Sequence, residues 1–367
     1  MIPQIDLKRQ HEALRGELME AAARVLDSCR FILGPEGQTL ERELAALCGA
    51  RHGVGTGSGT DALLLALKAV GVKPGDEVIT SAFSFVASGT TIVMAGAIPV
   101  FVDIDPATFN LDPARVERAI TPRTRAVVPV HLYGQVAAME AICDIARARG
   151  VAVVADAAQA VGASYGGRPV AAWGDAATLS FYPTKNLGAC GDAGMVLTTR
   201  DDVAERVRLL RDHGQPRRYT HVELGGSSRL DELQAALLRV KARRLPEWNE
   251  RRRAIARHYT LALAGLPLGL PIERPPAWHV YHQYTVRSAK RDALAAALTG
   301  RGVGTSIHYP STIPAQPVFS RPNADREFPL ATQAAAEVLC LPCFPELADG
   351  EVDQVVEAVK RAVAEVM

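Results

Sequence analysis

The sequence predicts an α/β fold in which helices cover both faces of a mostly parallel sheet. Short runs rich in β-forming residues alternate with helical stretches near 86–95, 113–119, 138–149 and 202–212. The runs are apolar throughout rather than at every second residue, which is typical of strands buried on both faces. They lie at 77–82, 100–104, 125–130, 151–155, 177–181 and 195–198. Because helices separate several of these strands, a parallel sheet is favoured.

The chain is long enough for one large domain and a smaller second domain, since it has 367 residues. An N-terminal arm precedes the first helix. Amphipathic patterns predict helices at 11–29, 229–244, 248–263 and 351–364, and a further one that follows the turn at 33–35 and continues up to residue 49. Four prolines in 267–276 indicate a linker or rim loop, and a short βαβ-like segment follows at 280–309. We therefore expect an arm and large domain at 1–245 and a smaller C-terminal α/β domain at 246–367.

Composition argues against nucleic acid and membranes as partners. The formal net charge is +1, charged residues make up 22% of the chain, and no long run of one sign occurs. No secretory signal pattern opens the sequence, and its apolar segments are interrupted well before the ~20 residues that a membrane span needs. We expect a cytoplasmic protein.

A metal site is not expected from the cysteines and histidines. The chain has 6 cysteines, and the only close pair, Cys340 and Cys343, has no second pair or histidine at ligand spacing. A chance pairing at the end of a buried strand explains it better than zinc or redox chemistry. No HExxH motif occurs among the 9 histidines.

The glycine-rich segment 53–61 leads into an Ala- and Leu-rich helix. Ser58, Thr60 and Asp61 are residues that cap helices, so a loop feeding a helix N-terminus is predicted, which suits an anion such as phosphate. Glycines at 55, 57 and 59 do not match the dinucleotide-binding spacing, no convincing long strand precedes them, and no Gly-Lys dipeptide exists for a nucleotide-binding P-loop. A flexible turn before a well-capped helix is the alternative.

Polar side chains fall at the carboxyl ends of the predicted strands, where ligands of such sheets bind. Asp156 follows one strand and Gln159 lies on the next turn, while Ser180 ends the following strand. Lys185 comes just after it, in a loop that contains several glycines. A capping role for Asp156 and a solvated surface position for Lys185 are the alternatives.

An anion loop, a strand-end carboxylate and a lone lysine together match the needs of pyridoxal 5′-phosphate. That cofactor takes phosphate donors, an aspartate at the pyridine nitrogen and a lysine that forms a Schiff base. The aspartate keeps the ring nitrogen protonated, and the lysine, once released, can move the substrate proton. Phe85 could stack on the ring or belong to the core.

Over essentially its full length the chain resembles the DegT/DnrJ/StrS family of sugar-nucleotide aminotransferases. The motifs that carry the resemblance are IPQIDLK at 2–8, GSGTDA at 57–62, PVHLYG at 129–134, DAAQ at 156–159, SFYPTKNLG at 180–188 and SRLDELQA at 228–235. The resemblance implies fold type I architecture: a large, mostly parallel αβα sandwich domain and a smaller C-terminal α/β domain.

The resemblance also implies roles for individual residues. Lys185 would be the catalytic Schiff-base lysine, and the further cofactor-binding residues would be Gly59, Thr60, Phe85, Asp156, Gln159, Ser180 and Ser227. Residues lining the sugar and pyrophosphate would be Tyr182, Arg229, His308 and Tyr309. On the residues alone, His308 and Tyr309 could equally be packing residues.

Homodimers with shared active sites are implied as well. In many members an asparagine at the position of Ser227 reaches the phosphate of the partner's cofactor. Here GGSS at 225–228 departs from that pattern, so either this contact is absent or a hydroxyl makes it. Pro314 stands where a histidine is common in the family, so we expect the substrate contacts from this loop to differ.

The implied activity is transfer of an amino group from L-glutamate to a dTDP- or UDP-linked 3-keto hexose in amino sugar biosynthesis, since the sequence around Lys185 is similar to that of members aminating C3. Three alternatives remain open at this stage: an aminotransferase acting on 4-keto sugars, a related dehydratase and a non-catalytic regulator that binds the cofactor. The related dehydratases carry histidine in place of the lysine, which argues against the second.

Overall fold

The computed structural model describes residues 1–319 and 324–367. Its helices, α1 to α13 in chain order, are Leu7–Ser28, Pro35–Cys48, Gly59–Ala69, Ala87–Met94, Pro113–Ala119, Met139–Arg149, Asp201–Leu210, Glu232–Ala242, Leu245–Ala262, Arg291–Gly300, Ala324–Glu327, Pro329–Glu337 and Asp349–Val366. Its strands, β1 to β12, are His52–Thr56, Glu77–Ser81, Ile98–Val102, Thr124–Val128, Ala152–Asp156, Ser164–Tyr165, Arg168–Pro169, Ala176–Ser180, Gly194–Thr198, Ala277–Trp278, Tyr284–Arg287 and Val338–Leu341.

The central sheet has seven strands in the order β1-β9-β8-β5-β4-β2-β3. Strands β8, β5, β4, β2 and β3 run parallel to one another, whereas β9 runs antiparallel to both β8 and β1. The mostly parallel α/β fold that the sequence predicts is confirmed. Because β5 and β8 are adjacent and parallel, their last residues, Asp156 and Ser180, lie at the same edge of the sheet.

Helices cover both faces of this sheet. On one face Leu44 of α2, Ile142 of α6 and Leu238 of α8 are buried against the strands. On the other face Leu67 of α3 and Val207 of α7 are fully buried. Each such side chain contributes about 1.5–3 kcal/mol relative to an exposed one. Burial on both faces is the reason why the strands are apolar throughout.

Strand β1 was not expected from the sequence, which gave no convincing strand before the glycine loop. Two glycines hide the pattern, because glycine has low β propensity. An added Cβ on Gly53 would come 2.4 Å from the Glu41 carbonyl oxygen, and one on Gly55 would come 2.9 Å from Leu230 Cδ2. Glycine is therefore required where α2 and the segment around Leu230 approach the strand. The glycine loop does follow a strand, and that part of the prediction was wrong.

The N-terminal helix begins earlier than predicted, at Leu7 rather than at residue 11. Asp6 caps it, since its carboxylate accepts hydrogen bonds from the N–H groups of Lys8 at 3.0 Å and Arg9 at 3.3 Å. Before the helix, Ile2 is buried in the core of the C-terminal region, and its N–H donates to Gly302 O at 2.7 Å. The arm therefore packs against the other end of the chain.

The C-terminal region differs from the predicted βαβ-like segment. Strand β11 and helix α10 form, but residues near 303–306 make only isolated bridges, from Val303 to Ile2 and from Ser306 to Cys340. Strand β12 instead pairs antiparallel with β11, so no parallel crossover is needed. The domain boundary after residue 245 stays a prediction. In the described ranges no helix combines the length and apolar character needed to cross a membrane.

Candidate active site

Lys185 lies in a tight loop that follows β8. Its N–H donates to Tyr182 O at 2.8 Å, and the N–H of Ala189 returns to Phe181 O at 2.7 Å. Gly188 approaches Pro183 so closely that an added Cβ would lie 2.2 Å from the Pro183 carbonyl oxygen. The lysine side chain is half-buried, so it is not the freely solvated charge that was the alternative.

Asp156 ends β5 and is only 8% exposed. Its Oδ2 accepts a hydrogen bond from Ser88 Oγ of α4 at 3.0 Å, and its Oδ1 accepts one from Ala158 N–H at 3.1 Å. The bond from Ala158 is the local turn bond expected of a capping aspartate. The bond from Ser88 comes from a different element and fixes the carboxylate at the edge of the sheet.

Lys185 and Asp156 do not form a salt bridge with each other, but the charge of each shifts the pKa of the other. Burial lowers the pKa of Lys185 to about 8, and the Asp156 carboxylate opposes this shift. Burial raises the pKa of Asp156, whereas the bonds from Ala158 and Ser88 and the charge of Lys185 lower it. A lysine with a lowered pKa can act as a nucleophile and as a base.

The N-terminus of α3 forms a cradle for an anion beside Ser180. Ser58 caps the helix by accepting from the Asp61 N–H at 3.0 Å. Among the described residues the N–H groups of Gly59 and Thr60 have no hydrogen-bond acceptor, so both remain available for a ligand. An added Cβ on Gly59 would lie 2.6 Å from Ser180 Cβ, so these two residues lie side by side. This donor set suits a phosphate group.

Gln159 is buried and is held at both ends of its amide. Its Oε1 accepts from Tyr133 N–H at 2.7 Å, and its Nε2 donates to Tyr309 Oη at 3.1 Å. The ring of Phe85, which is 52% exposed, lies 5.9 Å from that of Tyr309. Gln159, Tyr309 and Phe85 therefore form one continuous group at this edge of the sheet.

His308 joins this group from the C-terminal region. Its carbonyl oxygen accepts a hydrogen bond from Tyr133 Oη, and its Nδ1 lies 3.3 Å from Ser306 Oγ. Burial lowers the pKa of His308, and the nearby charge of Lys185 lowers it further. His308 is therefore neutral near pH 7 and lies within electrostatic reach of Lys185.

Three residues that the sequence predicts to bind cofactor or substrate, Tyr182, Ser227 and Arg229, are exposed or already hydrogen-bonded within a single chain. Arg229 donates to Asp212 Oδ1 at 2.6 Å and to Ser227 Oγ at 2.7 Å, so its guanidinium is already engaged. This segment runs along the outer edge of β1, where Gly57 N–H donates to Ser228 O at 3.0 Å. Ser227 and Tyr182 are exposed. Their predicted contacts with cofactor and substrate stay predictions.

Sequence reasoning missed three residues that shape the site. Ser88 lies on α4 and supports Asp156, and Tyr133 bonds both Gln159 and His308. His282, on the chain that leads into β11, has a pKa well below its ordinary value because of burial and then the charge of Lys185. Only the PVHLYG motif, which contains Tyr133, gave a signal for any of them. Among the described residues no cluster of His, Cys, Asp and Glu could hold a metal ion.

The site combines a half-buried lysine, a buried carboxylate and a helix N-terminus with free donors, an arrangement that suits an α/β enzyme acting with a phosphate-bearing group. The chain belongs to the DegT/DnrJ/EryC1/StrS aminotransferase family, whose profile matches residues 12–360. This confirms the family resemblance and the aminotransferase class.

Similar proteins cover nearly the whole chain. A pleiotropic regulatory protein of Geobacillus stearothermophilus is 50% identical, covering 98% of this chain and 97% of its own. A UDP-N-acetyl-3-dehydro-alpha-D-glucosamine 3-aminotransferase of Acidithiobacillus ferrooxidans is 44% identical, covering 98% and 97%. A dTDP-3-amino-3,4,6-trideoxy-alpha-D-glucose transaminase of Streptomyces venezuelae is 46% identical, covering 98% and 95%. The crystal structure of DesV from S. venezuelae in complex with a ketimine intermediate matches with a TM-score of 0.97 at 45% identity, covering 100% of this chain and 99% of that chain.

Proposed function

We propose that the protein is a pyridoxal 5′-phosphate-dependent aminotransferase that moves an amino group from L-glutamate to a nucleotide-linked 3-keto hexose. The observation that carries the proposal is the placement of Lys185. Its amine has a pKa of about 8, lies within electrostatic reach of the buried Asp156, and follows the strand whose end adjoins the α3 cradle. Membership in an aminotransferase family supports the reaction class.

The residues present fit the cofactor. The free N–H groups of Gly59 and Thr60, with the hydroxyl of Ser180, would hold its phosphate, and Asp156 would bind its pyridine nitrogen. Gln159 would lie toward the ring hydroxyl, while Phe85 would stack on the ring. When bound, the cofactor supplies an electron-withdrawing ring that makes the Cα proton of an amino acid acidic.

Lys185 would hold and move that proton. With a pKa of about 8, roughly a tenth of the amine is neutral at pH 7, far more than for an ordinary lysine. The hydrogen bonds from Ser88 and Ala158 favour the charged form of Asp156 against the burial that raises its pKa, and a carboxylate at this position favours a protonated partner at the ring nitrogen. The chain thus places one base and one fixed acceptor at the same edge of the sheet.

The substrate side of the site would be formed by Tyr182, His308 and Tyr309, with Ser227 and Arg229 contributed across a homodimer. Exposed apolar side chains near these residues support a second copy as the partner: Phe31 is 46% exposed, Phe85 52% and Leu224 92%. The names of the two transaminase relatives support C3 as the aminated position, and one takes a UDP-linked and the other a dTDP-linked sugar.

The test is to load the protein with pyridoxal 5′-phosphate and add L-glutamate. Absorbance at about 420 nm should bleach as the amino group is taken up, and in a panel of UDP- and dTDP-linked 3-keto and 4-keto sugars a 3-keto sugar should restore it. Lys185→Ala should bind the cofactor but lose turnover, whereas the surface variant Lys360→Ala should behave as the parent. A parent protein that binds the cofactor but never bleaches would instead support a regulator, which is the description of the 50% identical relative. Restoration by 4-keto sugars alone would move the amination to C4.

A further inference from the structure

Lys241 on α8 is an unusual lysine, because it is completely buried and forms no salt bridge among the described residues. Its Nζ donates to the carbonyl oxygen of Gly188 at 2.8 Å and lies 3.0 Å from Nε2 of His11 on α1. Burying an ammonium group without a carboxylate partner is costly. We therefore ask which part of the structure Lys241 stabilises, and its hydrogen-bond acceptor, the Gly188 carbonyl, identifies that part.

The acceptor belongs to the loop that carries Lys185. Gly188 is three residues beyond the lysine, and Cys190, two residues further on, donates its N–H to Gln234 Oε1 of α8 at 2.8 Å. Gln234 and Lys241 are two turns apart on α8, so both side chains leave the same face of the helix. We call these two residues the α8 clamp.

The rest of the loop transmits the position of Gly188 to Lys185. The close approach of Gly188 to Pro183 leaves no space for a side chain, and the N–H of Lys185 is bonded to Tyr182 O at 2.8 Å. Movement of Gly188 would therefore change the turn from which the lysine projects. The sheet holds the loop at Phe181, where Ala189 N–H donates at 2.7 Å, and the α8 clamp holds its far side.

The charged and titratable groups around Lys241 are consistent with its amine donating the hydrogen bonds to Gly188 and His11. Burial lowers its pKa, while the charges of Cys190 and Glu346 oppose that shift. Burial and then the charge of Lys241 lower the pKa of His11, so His11 is neutral near pH 7 and accepts through Nε2. Cys190 Sγ lies 3.5 Å from the same nitrogen, and Glu346 Oε1 accepts from Gln10 Nε2 at 3.0 Å.

We propose that Lys241 is a positioning residue for Lys185, and that with Gln234 it fixes the loop so that the amine stays next to Asp156. The consequence for catalysis rests on the proposed aminotransferase function. The clamp itself is a property of the chain without cofactor, so it can be tested separately.

The first test is hydrogen exchange of the cofactor-free protein. Lys241→Met keeps the length of the side chain but removes the donor, and amides in 186–191 should exchange roughly tenfold faster or more, with the central sheet unchanged. Lys360→Met, on the exposed side of α13, is the matched control and should exchange as the parent does. Unchanged exchange in this loop of Lys241→Met would overturn the inference.

The second test uses the protein loaded with pyridoxal 5′-phosphate. Per folded molecule, kcat of Lys241→Met should fall on the order of tenfold, while KM for L-glutamate stays within about twofold. A merely structural lysine would change stability and yield but leave kcat of the folded fraction unaltered, and that result would refute a positioning role. A parent without turnover would refute the proposed function, while the exchange experiment would still decide on the clamp.

If Lys241→Met does not fold, Gln234 carries the same tests. Gln234→Met removes the acceptor for Cys190 N–H, whereas Gln234→Glu keeps an oxygen at that position. Faster exchange of 186–191 in Gln234→Met, restored in Gln234→Glu, would support the clamp. Equal exchange in both variants and the parent would overturn it.

Discussion

Replacing Ser88 by alanine removes one of the two hydrogen bonds that the Asp156 carboxylate accepts from the described residues. The bond from Ser88 Oγ is 3.0 Å long and buried, and only the bond from Ala158 N–H at 3.1 Å remains. A hydrogen bond to a charged group contributes about 1.5–3 kcal/mol. If the ionised carboxylate is needed in the rate-limiting step, the rate of amino transfer should fall by about 10- to 100-fold.

The stability lost in Ser88→Ala should increase with pH, because burial raises the pKa of Asp156. A carboxyl whose folded-state pKa is raised favours folding at low pH, and this contribution is lost as pH rises through the folded-state pKa. Loss of the Ser88 bond raises that pKa further. The variant should therefore lose more stability relative to the parent as pH rises, and the difference should be smallest in acid, where the carboxyl is protonated in both proteins.

Denaturant unfolding of the cofactor-free protein at several pH values measures the stability, and single-turnover reaction with L-glutamate measures the rate. Ser84→Ala is the matched control, because Ser84 Oγ contacts Ser88 Oγ at 3.2 Å and makes no bond to the carboxylate. Its rate should stay within about threefold of the parent. Equal rates for the two variants, or a stability loss in Ser88→Ala that does not change with pH, would refute this role of Ser88.

Two further predictions concern Lys185 and the anion cradle. Burial lowers the pKa of Lys185 to about 8, because the charged amine is less stable in the folded protein than in the unfolded chain. The neutral amine therefore favours folding above the unfolded-state pKa, and this stabilisation is lost as pH falls toward 8. Lys185→Met should therefore stabilise the cofactor-free protein at pH 7 by about 1–2 kcal/mol after allowance for solvent screening. This gain should disappear at a pH of about 10.5, the pKa of an ordinary lysine. If urea unfolding at pH 7 shows no gain in stability, the prediction is contradicted. Gly59→Ala would bring a Cβ to 2.6 Å from Ser180 Cβ, so unfolding should show a loss of about 1–3 kcal/mol and fluorescence titration a roughly tenfold weaker affinity for pyridoxal 5′-phosphate. Gly16→Ala, with no atom within 4 Å of its added Cβ on α1, is the control and should gain about 0.5–1 kcal/mol; similar affinity losses in both would argue against the cradle.

The parts of the site that lie at strand ends could be predicted from the sequence. Asp156 and Ser180 end runs of apolar β-forming residues, and the carboxyl ends of neighbouring parallel strands lie at the same edge of the sheet. Lys185 follows directly, so its loop could be placed as well. Strand β1 could not be predicted, because its sequence is set by the close approach of α2 and Leu230 rather than by β propensity.

Residues that act through another side chain left no pattern in the sequence. Ser88 supports Asp156 across 68 positions of chain, and Lys241 reaches Gly188 across 53. Pairs so far apart are brought together only by the packing of α4 and α8 against the sheet. The role of Arg229 is the converse case, since the motif placed it near substrate but could not indicate that Asp212 already binds its guanidinium at 2.6 Å.

The position of Ile2 has a consequence for the order in which the chain folds. Its backbone is bonded to both Gly302 and Gly304, and its side chain completes the hydrophobic core of the C-terminal region. During synthesis this residue leaves the ribosome long before its partners exist, so its apolar side chain stays uncovered until some 300 further residues have emerged.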